Sequence, residues 1–345
     1  MKTKTADLFM RSWVTSQLLK GPATGFISTL AKKFNLSRPV ASRIVRELVN
    51  DNRIILSGST RKPVYSIGPT RTFFHTYPRE EVDEDIKWTQ DFAPYLDLPQ
   101  NIRDIVHHGF TEMLNNAHDH SEGKTVSVIM EIGATKLQMM IGDDGIGIFE
   151  KISSELKLPD KRLAMLELSK GKLTTDKANH SGEGIFFTSR MFDVFIIRAN
   201  GLDYNHHIQL TNDFLMETGF LNSSVKSGTF VFMLISLDSQ RTTKEIFNQF
   251  TLDPEELSFN KTVVPVRLAR LEDKLISRSQ AKRLVFRFDG FKKVVLDFEG
   301  VDEIGQAFAD EVFRVFQQSH PDVQLVPHHA SEDILKMIRR VQTNR

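Results

Sequence analysis

Residues 126–148 constrain the fold more than any other stretch. VSVIMEI alternates along its length, Gly133-Ala134-Thr135 interrupts it, and KLQMMIG alternates again before running directly into DDGIGI. Period-two alternation in two runs split by a short glycine-containing break is the pattern of paired β-strands. The second strand leaves through a turn rich in Asp and Gly. The chain has 345 residues, which at about 100–200 residues per domain gives room for two or three domains. Its 40% hydrophobic and 26% charged residues are values of a packed protein, not of a disordered one. Zero cysteines exclude a disulfide framework, thiolate metal sites and cysteine nucleophiles. No apolar run approaches the roughly 18 residues that cross a bilayer. The start, MKTKTADLFMRSW, has two lysines and no apolar signal core. A cytoplasmic protein without a membrane partner is the expectation.

The net charge of +1 hides an asymmetry. Residues 1–72 hold thirteen Lys and Arg against Asp7, Glu47 and Asp51, so they carry +10 and the remainder −9. A basic segment on an acidic protein suits a polyanion partner, although a solvated basic face gives the same balance.

Leu8, Phe9, Trp13, Leu18 and Leu19 repeat at helical spacing up to Gly21-Pro22. Ile27, Leu30, Ala31 and Phe34 mark a short helix, Asn35-Leu36 a turn, and Ser37 the N-cap of the next helix. Val40, Ile44, Val45, Leu48 and Val49 form its expected buried face, leaving Arg38, Ser42, Arg43 and Arg46 to solvent. IIL and VYSI follow as strands around a tip with Gly58, Arg61 and Lys62. This order resembles a winged helix-turn-helix. The resemblance implies a domain over 1–72 that binds double-stranded DNA: the second helix of the pair enters the major groove, and the Arg61–Lys62 tip touches phosphate. Residues 73–99, with prolines and an acidic cluster, read as a connector.

From residue 100 four motifs come in order. Glu112, Asn116 and His120 fall at i, i+4 and i+8 on one helix face. Asp143-x-Gly145-x-Gly147 ends a strand, Gly182-x-Gly184 precedes a helix, and Gly228-Thr229-Phe230 opens a strand. Each alone is weak. The series over 100–245 resembles the GHKL ATP-binding fold shared by gyrase B, Hsp90, bacterial histidine kinases and MutL. That resemblance implies ATP and Mg²⁺ as cofactors. Asn116 is then the magnesium ligand, an amide oxygen suited to a hard cation, and Glu112 the general base for water or a hydroxyl. Asp143 accepts the adenine amino group, and Thr229 shares the water beside it. Gly145 and Gly147 let backbone approach the base, while Gly182 and Gly184 open the phosphate cradle. The segment between the glycine pairs is the lid, with Lys170, Lys172 and Lys177 available to phosphate. His107, His108, His118 and His120 crowd one helix, but His118 and His120 at i, i+2 face apart, so no metal site is expected. His120 matches a histidine at the end of this helix in bacterial anti-sigma kinases and histidine kinases, and the resemblance implies a packing or lid-contact role for it over catalysis.

In residues 255–345 a helix with Arg278, Ser279, Gln280 and Lys282 precedes the apolar strand VVLDF and the helix of GVDEIGQAFADEVFRVF. This resembles the STAS-like domains of prokaryotic regulators, related to anti-sigma-factor antagonists that carry a phosphorylatable serine. Ala307 stands at that serine's place, so phosphorylation there is not expected; Ser277, Ser279 and Ser319 have no motif to favour them.

The expected fold is a multidomain α+β chain: winged helix, then an α/β-sandwich ATP-binding domain of the Bergerat type, then a small STAS-like α/β domain. The expected function is a transcriptional regulator switched by Mg·ATP with slow hydrolysis, working as a homodimer with a protein partner on the STAS-like domain. The alternatives are an anti-sigma-type serine kinase acting on a separate protein, and a nucleotide-dependent clamp in DNA processing or phage defence. His75 lacks the helical setting of a phosphoacceptor histidine, which argues against an orthodox sensor kinase.

Overall fold

The computed structural model describes residues 2–173, 182–208, 214–217, 227–253, 258–270 and 274–343. They form three units in chain order. The first runs α1 (Lys2–Leu18), β1 (Ala23–Thr24), α2 (Phe26–Phe34), α3 (Arg38–Asn50), β2 (Ile54–Ser59) and β3 (Lys62–Ile67), with the strands in order β1-β3-β2. Asn35, in the left-handed conformation with φ 51°, ends α2, and Pro39 in the first turn of α3 fits where no helical N–H partner is needed. A separate core of Met10, Val14, Leu18, Phe26, Leu30, Ala41, Ile44, Val45, Leu48, Ile54 and Tyr65 holds the unit. Two expectations fail here. Val40 is 37% exposed, because the buried stripe of α3 runs through Ala41 instead, and Phe9 and Leu19 point outward from α1 while Met10 and Val14 face in.

The middle unit is a seven-stranded antiparallel sheet in the order β4-β5-β6-β10-β7-β8-β9. Its strands are β4 (Arg71–Pro78), β5 (Thr125–Ile132), β6 (Lys136–Asp143), β7 (Val194–Ala199), β8 (Leu202–His207), β9 (Phe214–Glu217) and β10 (Thr229–Ser236). The helices are α4 (Glu84–Lys87), α5 (Gln100–His120), α6 (Ile148–Glu155), α7 (Leu163–Lys170), α8 (Gly184–Met191) and α9 (Thr243–Gln249). The expected connector is therefore part of the sheet. β4 pairs with β5 from Arg71↔Ile132 to Pro78↔Thr125, and Phe73, His75 and Tyr77 are more buried than their neighbours. The adjacent Phe73-Phe74 blurs the alternation; Phe74 is 62% exposed, on the outer face of an edge strand that also tolerates Pro78. Trp88 and Phe92, from the same stretch, pack on α5 with ring centroids 4.8 Å from His107 and 5.2 Å from Phe110.

The last unit holds three parallel strands, β11 (Lys261–Pro265), β12 (Lys293–Asp297) and β13 (Gln324–His328), with β12 central. Around them lie α10 (Arg278–Val285), α11 (Gln306–Asp310), a π-helical stretch Glu311–Phe316, α12 (Gln317–Ser319) and α13 (Glu332–Thr343). The middle and last units share one continuous hydrophobic core. Phe186, Phe259 and Phe291 cross the boundary as a chain of rings with centroids 4.5 and 5.3 Å apart. No helix among the described residues is long and apolar enough to cross a membrane.

Candidate functional site

A cavity of about 310 Å³ lies between the central strands and the helices of the middle unit. That volume lies within the usual range of small-molecule sites. Helix α5 turns Ile102, Ile105, Phe110 and Leu114 into the core, while the i, i+4, i+8 positions Glu112, Asn116 and His120 line the cavity. His118 stands apart, with Nδ1 2.7 Å from Asp119 Oδ1. His107 and His108 are half-buried and pack beside the core, His107 against Trp88. Burial and the neighbouring His107 push the His108 imidazole down to about 4, so it is neutral and packs edge-on against Phe247.

The last residue of β6, Asp143, brings a half-buried carboxylate to the cavity. Its Oδ1 accepts from the backbone N–H of Gly145 at 2.9 Å and of Thr229 at 3.2 Å. Burial raises the Asp143 pKa, and the bonds from Gly145 and Thr229 oppose that rise. Thr229 starts β10, the in-register neighbour of β6, so the sheet itself sets the two side by side. Thr229 Oγ1 accepts from Ile148 N at 3.0 Å and ties the first turn of α6 to the sheet. Between them Gly147 takes φ 86°, a left-handed conformation that lets the chain swing from strand into helix.

Gly182 and Gly184 line the cavity at the start of α8. A Cβ at 184 would lie 1.9 Å from Glu112 Oε2, so a side chain there would displace the Glu112 carboxylate. The general-base candidate thus sits against the amino end of α8, where the helix dipole and free N–H groups favour an anion. Leu173 N–H donates to the Gly182 carbonyl at 2.9 Å, joining the described residues on either side of 174–181. Lys177 lies outside the described residues.

Two of the expected phosphate lysines are elsewhere. Lys170 is fully buried; its Nζ donates to Glu167 at 2.6 Å and to the carbonyls of Arg283 and Phe286 at 3.0 and 2.9 Å. Burial pulls its pKa down to about 8 against the opposing pull of Glu167. Lys172 donates to the Gly290 carbonyl at 2.8 Å and lies over the Phe291 ring. Both reach into the last unit and not into the cavity. Among the described residues the Lys or Arg that lines it is Lys151 on α6, held by Glu122 at 2.6 Å and Glu155 at 3.3 Å, which raise its pKa. The helical spacing of Ile148, Ile152 and Lys151–Glu155 directly after DDGIGI is the sequence signal for it.

The strand-end carboxylate, Gly182, Gly184 and the glutamate-asparagine helix now stand around one cavity. Gly145 and Gly147, expected against the base, are not among its lining residues; they pack closely on Ser121 and on the Asn200 side chain. Residues 78–206 match the family model of the histidine kinase-like ATPase domain. The match runs from the end of β4 into β8 and takes in α5, the Asp143 turn and α8 of this ATPase domain. It is a nucleotide-binding type of domain, and the chain carries it in its middle third. Residues 280–335 match the model of a STAS-like domain of unknown function, from α10 into α13. A comparison with curated proteins finds no match.

Proposed function

We propose that this protein is a DNA-binding regulator whose affinity for DNA is set by Mg·ATP in the ATPase domain. The observation that carries the nucleotide half is the gathering of Glu112, Asn116, Asp143, Gly182, Gly184 and Thr229 around one cavity. Asp143 accepts the adenine amino group beside Thr229, with Ile141, Ile197 and Val231 as apolar walls. The amino end of α8 and Lys151 face the phosphates. The donor set fits magnesium, which takes one or two protein oxygens and completes its shell with phosphate and water. Asn116 would hold it, and the ion would neutralise phosphate charge there. Glu112 takes a proton from the attacking water or hydroxyl.

The N-terminal unit supports the DNA half. Its helix–strand–helix–turn–helix–hairpin order fits a winged helix, and Arg38, Arg46, Arg61 and Lys62 are exposed on α3 and the hairpin, with Ser42 half-buried between them. Arg43 is exposed but already paired with Glu47 at 2.8 Å, so DNA must compete for it. Arg38 and Arg46 are the stronger DNA-binding candidates.

A route joins the two sites. β6 and β10 carry Asp143 and Thr229 at one end. At the other end Arg53 Nε donates to the Ala134 carbonyl at 2.6 Å, before β6, and its Nη1 to Asp238 at 2.7 Å, beyond β10. ATP acts as a ligand with different affinity for two settings of this joint, the minimum such a switch requires. The test combines γ-labelled ATP with duplex-DNA titrations over a range of salt. Free labelled phosphate that vanishes in Glu112→Ala is expected, together with DNA affinity that moves with Mg·ATP. The salt slope should fall by about 0.9 for each phosphate that Arg38→Ala or Arg46→Ala leaves without its cation. Label transferred to a second protein would make this a kinase, and DNA affinity indifferent to ATP would sink the switch.

A further inference from the structure

We propose that the STAS-like domain carries a binding site for a divalent transition-metal ion of the zinc and cobalt class, built from Asp297, His328 and His329. These three offer ligand atoms that all lie within 4.8 Å of one another.

The sheet register makes the site. Asp297 ends the central strand β12, His328 ends β13, and the two are direct partners in the parallel ladder. Both therefore stand at the carboxyl ends of the strands, where open α/β sheets place their ligands. His329 then takes φ 48°, an uncommon conformation for a residue with a side chain. Its Nδ1 lies 2.9 Å from Asp297 Oδ1 and 3.9 Å from Glu299 Oε2. The His328 and His329 ring centroids are 3.7 Å apart, so consecutive imidazoles converge where an extended strand would send them to opposite faces.

The chemistry selects the ion. Asp297 is 6% exposed, and its Oδ1 already accepts from Glu299 N at 3.1 Å, which fixes the carboxylate. Both histidines are exposed, so an ion has access. Two imidazoles and one carboxylate suit zinc, cobalt, nickel or iron far better than magnesium or calcium, which prefer oxygen throughout. Three protein ligands leave positions open, and His206 and His207 of β8 line the same cavity as Asp297. Arg241 and Arg190 line it too; Arg241 is paired with Asp193 at 2.5 Å, and the buried Arg190 is turned away to donate to Phe186 O and Ser189 Oγ and to lie over the Phe186 ring. The site is independent of the nucleotide cavity and of what the protein does with ATP.

Full-length protein stripped with chelator and free of nucleotide is titrated with Co²⁺, followed by calorimetry and by the visible absorption of the bound ion. One saturable ion per chain is expected. His328→Ala and His329→Ala should each weaken it by at least about tenfold, since even partners outside the ligand shell are worth 10–100-fold. Both side chains are exposed, so these variants keep the fold, which circular dichroism checks. Asn116→Ala should bind Co²⁺ as the parent does. No saturation below about 1 mM would overturn the site. So would unchanged binding in the double histidine variant, and loss of the ion in Asn116→Ala would move it to the nucleotide cavity.

Discussion

The N-terminal unit and the STAS-like domain are joined to the ATPase domain in different ways. The first keeps its own core and reaches across with Arg53, whose guanidinium holds the Ala134 carbonyl and Asp238. The second shares its core with the ATPase domain and is stitched to it by buried charge. Glu167 and Lys170 at the end of α7 are 2% and 0% exposed as a pair. Arg287 reaches Glu167 at 2.9 Å and also donates to the carbonyls of Gly171 and Lys172, directly before the lid. A polar joint of one side chain can break and re-form, whereas a shared core moves as one body. The ATPase and STAS-like domains therefore share one core, while the N-terminal unit keeps its own and meets the ATPase domain through Arg53.

The largest effect should come from the buried joint. Glu167→Ala leaves the fully buried Lys170 without its carboxylate, a loss of about 3–5 kcal/mol. The chain's two tryptophans report the units separately: Trp13 stacks on Phe26 in the N-terminal core and Trp88 packs under α5. In denaturant, single-tryptophan forms of Glu167→Ala should show the Trp88 transition moved far down and the Trp13 transition in place. Equal shifts in both would mean that the three units unfold as one and would erase the contrast.

This joint is also what the sequence hides. Asp143, Gly147, Gly184 and Thr229 are legible because each belongs to a short motif whose spacing is fixed by a turn or a helix. Lys170 is not. Beside Gly171 and Lys172 it reads as a solvated lid cation, and only the distant carbonyls of Arg283 and Phe286, with Arg287 on Glu167, make it a core residue. The Glu167–Lys170 spacing of i, i+3 is a hint without a direction. β4 is obscured for a simpler reason: in RTFFHTYP one outward phenylalanine fills the position that alternation assigns to a polar side chain. The Asp297–His328–His329 group is invisible in sequence because its members meet through strand register, and register is set by the whole sheet.

Arg53→Ala sharpens the comparison at intermediate cost. It removes two hydrogen bonds from a buried guanidinium, one to a charged partner, contributions of about 1.5–3 kcal/mol. The expected outcome is separation of the Trp13 and Trp88 midpoints, with ATP affinity and DNA affinity each near the parent's when measured alone. What should vanish is the dependence of one on the other. DNA affinity that still responds fully to Mg·ATP in this variant would place the transmission elsewhere.

Lys172→Ala gives the smallest effect and decides between two roles. As placed, Lys172 donates one hydrogen bond to Gly290 over the Phe259 and Phe291 rings, and half-burial lowers its pKa against the pull of Glu183. Its removal should cost about 0.5–1.5 kcal/mol, all of it in the Trp88 transition. Nucleotide affinity, read by fluorescence of a labelled ATP analogue, should stay within about twofold, because the cation on the cavity wall is Lys151. A phosphate contact from Lys172 would show instead as a drop of about tenfold, the 1.4 kcal/mol that one charged hydrogen bond supplies. That result would return Lys172 to the lid and make the STAS-like joint one that opens when nucleotide binds. The unchanged affinity expected here leaves Lys170 and Lys172 as contacts of the joint to the STAS-like domain.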